Sequence, residues 1–240
     1  MILLITIEED GSHMIMSKKI SIVIRCKDEE RWIGHAIQSV IDFIPENEII
    51  IVDNGSKDKS LEIAQQFQAN TSLIKNKQKY TNINFISIDK YSPGLALNNA
   101  AKIANGDYIM FLSSHCVIKK FNVDQVLKDL KKYVAIFGNQ DPVYQGQRIG
   151  KRYLWSHFID KRVENMYSEL EDRYFFHNAL SIIDKEVLLK NPFDEELVGK
   201  EDRYWATDII EKNIGKILYD PELHCDHHYT DNGNTWKGVG

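Results

Sequence analysis

The feature that most limits the fold of this chain is a pair of apolar runs without polar alternation, Glu48–Val52 and Tyr108–Leu112. A strand reads this way when both of its faces are covered, as at the centre of a parallel sheet. Helical stripes separate such runs. Trp32, Ile33, Ala36, Ile37, Val40 and Ile41 share one face of a helix expected over Glu29–Ile44. Leu61, Ala64 and Phe67 do the same after Asp53-Asn54-Gly55-Ser56. Further strands are expected at Ile20–Ile24, Asn84–Ile88 and Val134–Phe137, and further helices at Gly94–Ala104 and Val123–Tyr133. Repeated βα units imply an α/β fold, with a central, mostly parallel sheet flanked by helices. Right-handed crossovers leave few other topologies.

The last third reads differently. Asp141–Leu170 is rich in aromatic and charged residues and suggests a helix with long flanking loops. Ala179–Ile183 and Lys216–Tyr219 read as strands, Glu201–Lys212 as an amphipathic helix, and the tail from Asp220 as irregular. No repeat and no Pro- or Ser-rich linker divides the chain, so one domain over residues 14–240 is expected. Met1–His13 is set aside as a leader, because Gly11-Ser12-His13-Met14 has the form of a cloning remnant. A formal net charge of -5 argues against a nucleic-acid partner. Three scattered cysteines without a CxxC read as reduced thiols in a cytoplasmic protein. No stretch is apolar enough to span a bilayer, so membrane association is expected to be peripheral at most.

In open α/β sheets ligands bind beyond the carboxyl ends of the strands. The residues of interest therefore follow the strands: Arg25-Cys26-Lys27-Asp28, Asp53-Asn54-Gly55-Ser56, Tyr91-Ser92-Pro93-Gly94 and Ser113-Ser114-His115. Asp53 has two readings, a carboxylate for a base or ribose and a turn that caps the next helix. No strand is followed by GxGxxG, and no GxxxxGK[ST] occurs, which disfavours dinucleotide and P-loop binding.

Four segments fall in a telling order. They are Ser21–Glu30, Ile49–Asp58, Gly94–Ala100 with Gly106–Leu112, and Phe193–Glu196 followed by Glu201–Ala206. This series resembles family 2 glycosyltransferases of the GT-A fold. The resemblance implies a donor half at about residues 20–138 and an acceptor half with the tail at about 139–240. It implies that Asp53 binds the nucleobase, with Arg25, Lys27, Asn54, Gly94, Asn98, Ser113 and Ser114 completing the nucleotide site. Asp202 would be the general base of an inverting transfer, supported by Glu201. Where the family usually carries Asp-x-Asp for a divalent metal, this chain has Ser113-Ser114-His115, as a subset of the family does. That donor set suits hard Mg²⁺ poorly and a borderline ion such as Mn²⁺ better. The resemblance adds His227 and His228 as metal partners of His115, and Lys237 as a diphosphate contact.

The expected activity is transfer of a sugar from a nucleotide-diphosphate sugar to a saccharide or lipid-linked acceptor. The family setting suggests surface polysaccharide or glycolipid synthesis at the inner face of the membrane. Two alternatives stand beside it: a non-catalytic nucleotide-sugar binder and a sugar-phosphate nucleotidyltransferase. The latter normally has a Gly-rich loop after the first strand, and Arg25–Glu30 contains no glycine. The aromatics of Tyr144–Tyr167 are read equally as an acceptor groove and as core. Nucleotide, sugar and acceptor are left open, and so is the oligomeric state, a homodimer included.

Overall fold

Ile20 to Ile24 are buried one after another, and this run forms the axis of the fold. The computed structural model describes residues 19–44, 47–70, 82–88 and 90–237. Met1–His13, set aside above, lies outside them. The first part of the chain runs β1 (Ile20–Cys26), α1 (Ile33–Phe43), β2 (Glu48–Asp53), α2 (Ser60–Asn70), β3 (Asn82–Ser87), α3 (Pro93–Ile103), β4 (Tyr108–Ser113), β5 (Cys116–Lys120) and α4 (Val123–Asp129). It continues through β6 (Ala135–Tyr144), β7 (Gln147–Arg148), β8 (Val163–Glu164), β9 (Tyr167–Ser168) and β10 (Arg173–Tyr174). It closes with β11 (Leu180–Asp184), α5 (Lys185–Lys190), α6 (Glu201–Glu211) and β12 (Ile217–His228).

The main sheet has the order β3-β2-β1-β4-β11-β6-β12-β5. β1 is parallel to β2 and β4, and β2 to β3. β11 then enters antiparallel to β4 and β6, while β12 is parallel to β6. Side chains alternate across the sheet into two cores. Ile22, Ile24, Ile49 and Ile51 pack with α1, while Val23, Ile50 and Val52 pack with α3 and α6. A strand with apolar residues on both faces is therefore what β1 and β2 require. Caps fix where the helices start. Ser92 accepts from the Leu95 N–H, with Pro93 in the first turn, and Asp184 accepts from the Val187 N–H.

Three sequence expectations need correction. Asp141–Leu170 is not a helix. β6 runs on to Tyr144, and a 3-10 turn at Tyr153–His157 and short strands follow. Trp155 and Phe158 enter the core, whereas Tyr144, Tyr153 and Tyr167 stay exposed. The tail from Asp220 is not irregular, because β12 continues through a register shift to His228. α1 also begins later than Glu29, since residues 30–32 form a turn and Trp32 stacks on His228 with ring centroids 3.9 Å apart. Among the described residues, no helix is long and apolar enough to cross a membrane.

Candidate active site

The carboxyl ends of β1, β2 and β4 open into a cleft whose other wall comes from residues 177–179, the start of α6 and the tail. The loops after β1 and β2 are laced together. The Lys57 N–H donates to Asp28 Oδ1 at 2.6 Å, Glu29 N–H to Ser60 Oγ at 2.7 Å, and Glu30 N–H to Asp58 Oδ2 at 2.8 Å. Asp28 adopts the left-handed region, φ 50°, which turns the chain from β1 toward α1. The tail closes over these loops: Asn232 Nδ2 donates to the Lys27 and Asp28 carbonyls, and Thr230 Oγ1 to Glu29 Oε1.

Glu201 and Asp202 occupy the first turn of α6, where the positive end of the helix favours acidic groups. Both are buried, at 5% and 4% exposure. Asp202 Oδ1 accepts from the Arg203 N–H and Nη1, each at 2.9 Å, and Oδ2 accepts from the Asn178 N–H at 3.0 Å. A carboxylate offers about four lone-pair positions, so one on Oδ2 is left for a further proton. Burial alone would push Asp202 upward. Arg203, His177 and the Asn178 N–H outweigh it and hold Asp202 below the usual carboxylate range. Glu201 moves the other way, raised by burial and then by the Asp202 charge. Its Oε1 meets Arg25 Nη1 at 3.4 Å.

From His115 and His177 at the cleft wall, a chain of rings and amides runs into the buried interior through His227 and Gln140. His115 Nδ1 lies 3.1 Å from Glu29 Oε1, and His115 Nε2 lies 3.0 Å from His227 Nε2. His227 Nδ1 lies 2.8 Å from Gln140 Oε1, and Gln140 Nε2 lies 3.1 Å from His177 Nδ1. Each outer contact sets a tautomer. Glu29 accepts from His115 Nδ1, and Gln140 accepts from His227 Nδ1, so the two Nε2 atoms face each other. That arrangement is favourable only with a cation between them, a proton or a metal. Burial and then His115 hold His227 well below the ordinary imidazole value, which keeps it neutral as a ligand must be. Two imidazoles with anchored outer nitrogens fit a borderline divalent ion better than Mg²⁺. A separate cluster, Asp141, His224 and Asp226, is closed by Arg148 and Lys151, and its Asp141 and His224 line another cavity.

The cleft brings together Arg25, Lys27, Asn54, Ser113, Ser114, His115, Glu201 and Asp202. Asp53 is buried beside it, and its carboxylate accepts from the Gly55 and Ser56 N–H groups, which is the turn reading. Gly94 and Asn98 do not line the cleft. A Cβ on Gly94 would lie 2.4 Å from the Asp194 carbonyl oxygen, so glycine serves close packing there. Asn98 bonds the Phe193 carbonyl and N–H and the Glu195 carboxylate, which ties α3 to the 193–195 loop. His228 turns outward onto Trp32, and its ring is not joined to His115. The side chain of Lys237 lies outside the described residues. Sequence reasoning missed Glu29, Gln140, His177 and Asn178. Glu29 stood in a quoted segment as one of three acids, and nothing marked it as the one that turns inward.

Comparison with known proteins identifies the family and the fold. A Bacillus spizizenii poly(ribitol-phosphate) beta-glucosyltransferase is 38% identical over 101 residues, covering 40% of this chain and 14% of that protein. The chain spans half or less of the length of the curated relatives it matches. S. aureus TarS residues 1–349, solved with UDP-GlcNAc, superposes with a TM-score of 0.64 at 19% identity, covering 90% of this chain and 60% of that one. GalNAc-T7, solved with UDP, GalNAc and Mn²⁺, gives 0.66 at 17% identity, covering 90% of this chain and 45% of that one. Those two likenesses identify the fold as GT-A. The model of "Glycosyl transferase family 2" matches residues 21–197, well over half of the chain, and the chain belongs to that family.

Proposed function

We propose that this chain transfers a sugar from a nucleotide-diphosphate sugar to an acceptor hydroxyl, with inversion at the anomeric carbon. The observation that carries the reading is Asp202: a buried, ionised carboxylate with one unfilled position on Oδ2, facing the cleft that Ser113–His115 also line. The acceptor oxygen forms a bond to the anomeric carbon while its proton passes to Asp202. The bond from that carbon to the diphosphate oxygen breaks, and its electron pair leaves with the nucleotide. Arg25 and Lys27 supply positive charge to the leaving group. Glu201 holds Arg25 in place. Asp53 and Asn54 form the nucleobase end of the site.

His115 and His227 would hold a divalent metal, with Mn²⁺ favoured by the nitrogen ligands; such a metal, when bound, neutralises the departing diphosphate. Glu29 and Gln140 keep both rings in the tautomer that presents Nε2. The surface polymer in the name of the Bacillus spizizenii relative supports a saccharide or lipid-linked acceptor, with surface polysaccharide synthesis as the setting and the inner membrane face as the place. One domain, with the donor on about residues 20–138 and the acceptor on about 139–240, is the organisation this reading uses.

Thermal shift with UDP-, GDP- and dTDP-linked hexoses, with and without Mn²⁺, tests it. A sugar nucleotide at a hundredfold its dissociation constant stabilises the folded chain by about 2.7 kcal/mol. Stabilisation by at least one of these donors, increased by Mn²⁺, is expected. No response to any of them would contradict the reading.

A further inference from the structure

We propose that Asn178 is a recognition residue for the transferred sugar, donating a hydrogen bond from Nδ2 to a neutral oxygen of that sugar. The inference rests on the transferase reading above and adds to it a residue outside the family segments of the sequence. Asn178 precedes β11 and is 3% exposed. Its backbone N–H and its side-chain oxygen are committed. The backbone N–H donates to Asp202 Oδ2 at 3.0 Å, and Oδ1 accepts from Ser181 Oγ at 3.3 Å. Nδ2, with two N–H donors, has no partner among the described residues, and Asn178 lines the cleft. A buried donor left unpaired is costly, and native structures keep such groups where a ligand or water satisfies them.

The position identifies the ligand group. On one side of Asn178 is the Asp202 carboxylate, which takes the acceptor proton. On the other is the end of β4, where the Ser113 N–H donates to the Ala179 carbonyl at 3.0 Å and Ser114 and His115 line the diphosphate end of the cleft. In an in-line displacement, the group between the base and the leaving diphosphate is the sugar in transfer. The partner oxygen is neutral, because an anion there would lie against Asp202. A sugar hydroxyl or an amide carbonyl on the ring meets that condition. A site with a donor dedicated to one oxygen also rejects sugars that lack it, since the donor is then left unpaired.

The test is calorimetric binding of UDP-GlcNAc, UDP-glucose, GDP-mannose and dTDP-glucose beside their parent nucleotides UDP, GDP and dTDP. For the tightest sugar nucleotide, Asn178→Ala is expected to weaken binding about tenfold or more. It should leave the parent nucleotide within about twofold, and that nucleotide is also the control for folding. Equal weakening of both, or of neither, overturns the assignment. If Asn178→Ala no longer binds the parent nucleotide, Asn178→Asp decides, because it keeps the side-chain shape and the Ser181 contact. Selective loss of the sugar nucleotide by that variant supports the proposal, and unchanged discrimination overturns it. Failure of the unaltered chain to bind any of the four sugar nucleotides contradicts the transferase reading itself, a result distinct from the loss of selectivity in the variants.

Discussion

The fold controls the charge state of His177. Burial, and then the positive charge of Arg203, lower it to about 3 from an ordinary value of 6.5. A depressed folded value means the unfolded chain binds the extra proton first. The stability this group contributes is present above pH 6.5 and is lost progressively as pH falls toward 3. Thermal melts between pH 7 and 4 should therefore decline, and His177→Asn should flatten that decline; parallel curves for the two proteins would contradict the assignment. His115 and His227 make a second prediction at this scale. His115→Ala should remove most of the Mn²⁺-dependent part of the nucleotide's thermal shift and leave the metal-free part in place, and an unchanged Mn²⁺ increment would exclude the ring as a ligand. Residue roles were unevenly legible in the sequence. Asp202 stood out through the resemblance of the Glu201–Ala206 segment to the family, which implies a base there. Asn178 did not, because its importance lies in one unpaired amide N that only the packed structure defines.

At the scale of elements, α3 is held to the 193–195 loop by Gly94 and Asn98. Because a Cβ on Gly94 would meet a backbone oxygen, Gly94→Ala must displace the loop or the helix. Overpacking of this kind costs about 1–3 kcal/mol. Urea unfolding should show that loss, while the remaining folded protein keeps its nucleotide affinity. Weakened nucleotide binding without a stability loss would instead return Gly94 to the site. The parallel strands were legible because unbroken apolar runs have one common explanation, burial on both faces. The second half of β12 was not. Its inward residues include Cys225 and His227, its outward ones His224, Asp226 and His228, and Pro221 interrupts the strand at its register shift. The alternation is present, but its inward side chains are not the β-branched or aromatic residues that announce a strand. The aromatic stretch after β6 misled for the opposite reason. Its rings are divided between core and surface by short turns, which composition alone does not show.

For the whole molecule, the cleft exists because the sheet changes direction. The parallel strands β2, β1 and β4 deliver Asn54, Arg25 and Ser113 to one edge, and the antiparallel entry of β11 brings Asn178 to the same edge from the opposite sense. α6 then sets Asp202 against that edge, and the tail crosses back to Lys27 and Asp28. The proposed base Asp202, the proposed leaving-group contact Arg25 and the proposed sugar contact Asn178 thus share one cleft although they lie far apart in the chain. The central claim is that Asp202 takes the proton of the attacking hydroxyl. Nucleotide release from the tightest-binding sugar nucleotide, with water as the acceptor, measures it directly in the unaltered chain and in Asp202→Asn. The account predicts a fall in turnover of about 10²–10⁴-fold with donor affinity retained. Unchanged turnover would contradict it.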